Sequence, residues 1–240
     1  MRRRLDDLID RVGQRLGGYD LMVLVCLQAL ALALWLFIEL ADEVVEGQTH
    51  GLDERIIMAM RVPGDPSDPI GPPWLEEIGR DCTALGGIAM LALVVAAVCG
   101  FLAIRGAWHA VVLCLGATIG GLGLSLLVKE AFSRPRPALV PHLSVIMTSS
   151  FPSGHSLMSA VVYLTLGALL ARLAPGRRLK VYCIAVATLM TGMVGVSRVY
   201  LGVHWPTDVV AGWALGLVWA IVCWLVAKRL QRKGTVEAEA

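Results

Sequence analysis

Six stretches of the chain are apolar over the roughly 20 residues that a helix needs to cross a hydrocarbon layer. They are 19–40, 83–104, 107–128, 156–173, 181–199 and 206–226. The third would extend about 33 Å at the rise of an α-helix; the fourth is the shortest. The pattern predicts an all-α polytopic membrane protein, a bundle of six transmembrane helices with short amphipathic interfacial helices. Leu5, Leu8, Ile9, Val12 and Leu16 recur at helical spacing between charges, which predicts an amphipathic segment lying on the membrane surface over 1–18. The long acidic connection 41–82 holds a second amphipathic piece around Leu52, Ile56, Ile57 and Met60. A Pro/Gly/Asp turn region follows at 63–73, and then a helix start at Pro73–Trp74, since proline suits the first helical position. The chain divides into the interfacial segment 1–18, a six-span domain 19–227 and a tail 228–240. The first stretch exceeds the roughly 7–15 apolar residues of a signal peptide core and reads as a retained span.

Composition sharpens this picture. Apolar residues make up 57% and charged residues 17%, with mean hydropathy +0.70. Soluble chains hold roughly 45–50% apolar and about 25% charged residues, so much of this surface must meet lipid. Disorder, a coiled-coil rod and a disulfide-stapled module are excluded. A net charge of +2 without a basic stripe argues against a nucleic-acid partner. Basic residues crowd the N-terminal segment, the turn near Arg177–Lys180 and the tail, which by the positive-inside rule sets both termini in the cytoplasm. Of the six cysteines, Cys26, Cys99, Cys114, Cys183 and Cys223 lie in spans and Cys82 at a span end, without metal-ligand spacing. All six read as small apolar residues. Gly116/Gly120 and Gly212/Gly216, each four apart, read as close helix packing. Trp35, Trp74, Trp108, Trp205 and Trp224 lie near span ends, as interface anchors do.

Against so apolar a background, four polar clusters stand out. Lys129 to Pro137 closes the third span and Phe151 to Ser156 opens the fourth. Ser197-Arg198 closes the fifth, and His204 to Asp208 opens the sixth. With a cytoplasmic N-terminus, odd spans end outside and even spans begin outside, so all four clusters reach one exterior face. Lys129, Arg136 and Arg198 supply donors suited to phosphate. Ser153-Gly154 precedes a helix start, where backbone N–H groups attract anions. His204 and Asp208 are four apart around Pro206. Asp208 can therefore hold one imidazole nitrogen and leave the other as a nucleophile. His155, on another helix start, is placed to protonate a leaving oxygen. Charges inside membrane proteins are expensive and functional by default. Arg134 and Glu130 read as solvated charges, His50 and His142 as surface residues, and His109 as lying at the far end. Tyr200 and Trp205 flank the site as candidate substrate contacts.

These residues resemble the type-2 phosphatidic-acid phosphatase family, relatives of glucose-6-phosphatase and the vanadium haloperoxidases. The first family motif is lysine, six residues and Arg-Pro, matched by Lys129 and Arg136-Pro137. The second is Pro-Ser-Gly-His at Pro152 to His155, and the third is Ser197-Arg198, His204 and Asp208 at the family spacing. The resemblance covers about 107–226 and implies metal-independent hydrolysis through a phosphohistidine, with no cofactor and no metal site. In the roles it implies, His204 attacks phosphorus, Asp208 supports it and His155 protonates the leaving group. Lys129, Arg136, Ser153, Gly154 and Arg198 hold the phosphate oxygens. The expected substrate is a lipid phosphate or pyrophosphate entering from the bilayer. Phosphatidic acid, phosphatidylglycerophosphate, undecaprenyl pyrophosphate and lipid A phosphate stay open. The expected location is a bacterial plasma (inner) membrane with the site on the periplasmic side. An anion-binding or phospholipid transport protein would use the same cations, but would need neither histidine.

Overall fold

The computed structural model describes residues 21–138 and 149–232. The expected interfacial segment 1–18 and most of the tail lie outside the described residues. The elements are α1 (Leu21–Val45), α2 (His50–Ala59), β1 (Arg61–Val62), β2 (Asp65–Pro69), α3 (Pro73–Ala84), α4 (Ile88–Ile104), α5 (Trp108–Ala131), α6 (Gly154–Leu173), α7 (Arg177–Tyr200) and α8 (Pro206–Arg232). Helices α1, α5, α6, α7 and α8 are each long and apolar enough to cross a membrane. The bent pair α3–α4, which turns by 54°, makes a sixth when its two helices are counted as one span.

That bend corrects the expected single helix at 83–104. Leu85 ends α3, and Gly87, with extended backbone, begins α4. Gly86 between them presses against Val194 of α7 and His155 of α6, where a side chain would collide. The remaining 17 residues of α4 rise about 25 Å, less than a typical core of about 30 Å. The hydropathy pattern sees one apolar run; the packing of Gly86 breaks it.

Helix α6 is the axis of the bundle. Leu157, Val161 and Val162 pack there with Leu91 and Val95 of α4, Cys114 and Ala117 of α5, Ala187 and Val194 of α7 and Leu215 of α8. The outer helices turn Leu32, Ile38, Leu93, Val112, Ile119 and Leu189 outward. A rim this apolar is solvated by lipid tails, so packing and hydrogen bonds, not water expulsion, hold the helices together. A close backbone seam joins α8 to α6. A Cβ at Gly212 would lie 2.7 Å from the Ser153 carbonyl oxygen, and one at Gly216 would lie 2.6 Å from that of Leu157. The expectation for the other glycine pair holds only in half. Gly120 receives the Trp219 ring, whose Nε1 donates to Ala117 O at 2.8 Å, while a Cβ at Gly116 would meet nothing within 4 Å.

One end of the bundle carries a layer of α2, the β1–β2 hairpin and α3. The hairpin, with Arg61 opposite Pro69 and Val62 opposite Asp65, stands where only turns were expected. Helix α3 begins at Pro73 as predicted. In α2 the inward face differs from the apolar stripe read from the sequence. Leu52 is 58% exposed, whereas Asp53 and Ile57, one turn apart, are wholly buried.

Candidate active site

The site lies where four chain segments meet at that end. After α5 the chain runs extended through Phe132–Pro137. It lies beside the segment leading to α6, with Ser150 N donating to Arg134 O at 2.9 Å. Phe151 is buried against Phe132, centroids 4.7 Å apart, and against Phe37 of α1 at 6.0 Å. Ser153 then caps α6, its Oγ accepting from Ser156 N at 3.4 Å and Ser156 Oγ at 3.0 Å. Ser153 N donates to Asp208 O at 2.9 Å, tying the start of α6 to the start of α8.

Between α7 and α8 the chain turns through Gly202, whose φ of +69° suits only glycine well. This turn delivers His204, buried to 2% exposure. Trp205 precedes the first helical residue, Pro206, so Asp208 occupies the third helical position. Asp208 Oδ2 reaches back to Trp205 N at 3.0 Å, the carboxylate half of a capping box. The same oxygen accepts from Ser150 Oγ and lies 3.4 Å from His204 Nδ1. Ser150 Oγ is itself 3.4 Å from that nitrogen. Asp208 is thus both a helix cap and the partner of His204.

On the other side of the ring, Arg136 Nη1 lies 3.1 Å from His204 Nε2 and donates to Val203 O at 2.8 Å. A guanidinium only donates, which assigns Nε2 as acceptor and puts the ring proton on Nδ1. Burial pushes His204 down to about 4, with Asp208 opposing and Arg198 and Arg136 adding to the fall. The ring is therefore neutral at ordinary pH. Burial likewise draws Arg136 below the usual guanidinium value, against the pull of Asp208.

Arg198 Nη1 donates to Thr83 Oγ1 at 2.8 Å, at the end of α3. Lys129 Nζ donates to Ser149 O at 3.0 Å. A Cβ on Gly154 would lie 3.3 Å from Lys129 Cε, so the bare helix start and the lysine stem share this corner. His155 is half-buried beside Gly86, within electrostatic reach of Arg198, His204, Lys129 and Arg136. Among the described residues, Arg136 Nε and Arg198 Nε are buried donors without a partner. The eight residues singled out from the sequence therefore share one end of the bundle. Also among the described residues, no group of three or more His, Cys, Asp or Glu side chains comes together as a metal site would require.

Three expectations change. Arg134 is not a solvated charge: its side chain is 7% exposed and bridges Asp53 and Asp208 at 2.6 Å each. Two carboxylate partners offset part of its desolvation cost. Trp205 is not an interface anchor. It is 3% exposed, donates from Nε1 to Pro135 O at 2.9 Å, and carries Arg134 over its ring at 5.5 Å and the edge of His50 at 5.1 Å. Tyr200 turns away from the site, its hydroxyl donating to Ile70 O at 2.9 Å. Trp35, Trp74 and Trp108 are exposed, as anchors are. Glu130, His50 and His109 are exposed too, and His142 lies outside the described residues. Sequence reasoning missed Asp53, Thr49, Thr83, Ser150 and Thr207. Only Asp53 had a signal, a carboxylate one helical turn before an inward isoleucine.

Residues 106–232 match the PAP2 superfamily. The chain belongs to that family, the type-2 phosphatidic-acid phosphatases. It is 34% identical over 185 residues to phosphatidylglycerophosphatase B of Bacillus subtilis, covering 76% of this chain and 86% of that one. Lipid A 1-phosphatase of Rhizobium johnstonii is 32% identical over 131 residues, 51% of this chain and 49% of that protein. The crystal structure of a transmembrane PAP2-type phosphatidylglycerolphosphate phosphatase from Bacillus subtilis superposes with a TM-score of 0.76 at 30% identity. That match covers 85% of this chain and 98% of the other. The protein is thus an integral membrane phosphatase of the PAP2 superfamily. Asp53, Thr49 and Thr83 lie before the residues 106–232 that match the family, and all three touch cations of the site.

Proposed function

We propose that this enzyme hydrolyses a lipid phosphate monoester or pyrophosphate through a phosphohistidine, without a metal, on the exterior face of a bacterial plasma (inner) membrane. Both termini then lie in the cytoplasm. The observation that carries the reading is the double setting of His204, with Nδ1 toward Asp208 and Nε2 beside Arg136. A phosphate drawn to Arg136, Arg198, Lys129 and the start of α6 at Ser153-Gly154 meets the lone pair of Nε2. As the N–P bond forms and the P–O bond to the lipid breaks, His155, protonated beside the bound phosphate anion, gives its proton to the departing oxygen. Asp208 steadies the positive charge developing on the ring. Water then attacks the phosphohistidine, His155 takes its proton, and phosphate leaves with His204 neutral again. The site's position at helix ends lets the headgroup react while the acyl or prenyl tail stays in the bilayer. The likeness to phosphatidylglycerophosphatase B makes phosphatidylglycerophosphate the first substrate to try. Lipid A phosphate follows from the likeness to lipid A 1-phosphatase, and undecaprenyl pyrophosphate is tried beside it as the pyrophosphate candidate. A transporter would leave the buried His204–Asp208 pair without a task. Purified protein is expected to release phosphate from phosphatidylglycerophosphate in EDTA, and strict dependence on added magnesium would overturn the mechanism.

A further inference from the structure

Helix α2 precedes the residues that define the family, yet it sends a carboxylate into the site. Asp53 is wholly buried. Its Oδ1 accepts from Thr207 N at 3.0 Å, and its Oδ2 from Thr207 Oγ1 at 2.7 Å and Arg134 Nη2 at 2.6 Å. The other terminal nitrogen of Arg134, Nη1, donates to Asp208 Oδ1 at 2.6 Å and Thr207 Oγ1 at 2.8 Å. Thr49, at the start of α2, leaves its helix uncapped and accepts from Arg134 Nη2 at 2.9 Å. One cation is thus forked between two buried acids, and one of those acids faces His204.

We propose that Arg134, clamped by Asp53 of α2, is a positioning residue that fixes the Asp208 carboxylate against His204, making α2 part of this enzyme's catalytic apparatus. The inference rests on the phosphohistidine reading above. Attachment of α2 does not require these charges, because Ile57 already packs with Val199, Trp205 and Val209. What the charges add is orientation. Asp208 Oδ2 is committed to Trp205 N, Ser150 and His204 only while Oδ1 is held, and Arg134 holds it. A planar guanidinium can reach both acids through separate nitrogens, which a lysine cannot.

The charged and titratable groups around the His204–Asp208 pair are Asp53 of α2, Lys129 of α5, Arg134 and Arg136 of the connection after α5, His155 of α6 and Arg198 of α7. Removing one of them shifts the pair by its sign. The test is kcat and KM for short-chain phosphatidic acid in detergent, between about pH 4 and 8, on variants shown to be folded. Asp53→Asn is expected to lower kcat about ten- to a hundredfold, the usual cost of losing an outer partner, with KM nearly unchanged. Its acid limb should move to lower pH, because a negative charge is gone. Arg134→Gln should lose more and move the limb to higher pH. Arg134→Lys, which keeps the charge without the fork, should leave the limb in place with kcat still low. Limbs that stay put in both charge-removing variants overturn the proposal, as does a kcat loss that only follows the folded fraction. Should those variants not fold, Thr49→Val removes a single acceptor from Arg134. A fall in kcat at constant KM supports the proposal and wild-type kcat overturns it. His204→Ala is assayed alongside. Activity there sinks the phosphohistidine reading itself, whereas an inactive His204→Ala with wild-type Asp53→Asn and Arg134→Gln sinks this inference alone.

Discussion

The two sides of the His204 ring are built differently. On the Nδ1 side every carboxylate oxygen of Asp208 and Asp53 has donors from the protein: Ser150, Trp205 N, Arg134 and Thr207. On the Nε2 side Arg136, Arg198 and Lys129 lean on Val203 O, Thr83 and Ser149 O. There Arg136 Nε and Arg198 Nε remain buried and unpartnered. One side is saturated by the fold; the other keeps buried donors that the fold leaves unpaired. Buried unpaired donors are costly, so the second side lowers stability while the first supports it.

This contrast can be broken by experiment. The largest effect is expected at the ring itself. His204→Ala should lower phosphate release by at least about a thousandfold, since the proposed nucleophile is lost, while lipid binding persists. Turnover near the wild-type rate would remove the centre of the comparison. Next, Arg198→Ala should lower kcat/KM by about a hundred- to a thousandfold, as losing one charge-stabilising donor does, yet leave the melting temperature in detergent equal or higher. A large fall in melting temperature would put Arg198 on the structural side. Asp208→Asn should reverse that pattern in stability, leaving Arg134 short of a buried partner and lowering the melting temperature as well as activity.

The smallest effect is in the pH dependence of stability. Burial holds the folded His204 near 4, against an ordinary value of 6.5. As pH falls through that interval the unfolded chain takes up a proton that the folded one does not. Stability from this group is therefore complete above about 6.5 and lost progressively toward 4. His204→Gln should show a flatter melting curve across that window than the wild type, and parallel curves would contradict the buried neutral ring.

Much of this was legible beforehand because two periodicities dominate: span length in hydropathy and motif spacing in the polar clusters. Span ends moved by about a turn or less in α5, α6 and α7. The reading failed where tertiary contacts outweigh local pattern. Gly86 breaks α3–α4 because Val194 and His155 occupy its place. Arg134 and Asp53 each look like surface charges alone and become buried only through one another. Trp205 sits near a span end as an anchor does, but the same position places it under Arg134. Pairing across 81 residues leaves no trace in either neighbourhood.

The glycine seam between α6 and α8 has a consequence for chemistry. His155 stands at the start of one helix, His204 and Asp208 at the start of the other, and Gly212 meets Ser153 O where a Cβ would be only 2.7 Å away. The missing side chain therefore acts as a spacing gauge between His155 and His204. Displacing reacting groups by about 1 Å can cost roughly a hundredfold in rate, so a single methyl at position 212, two turns from His204, is expected to lower turnover while leaving every polar group of the site in the sequence.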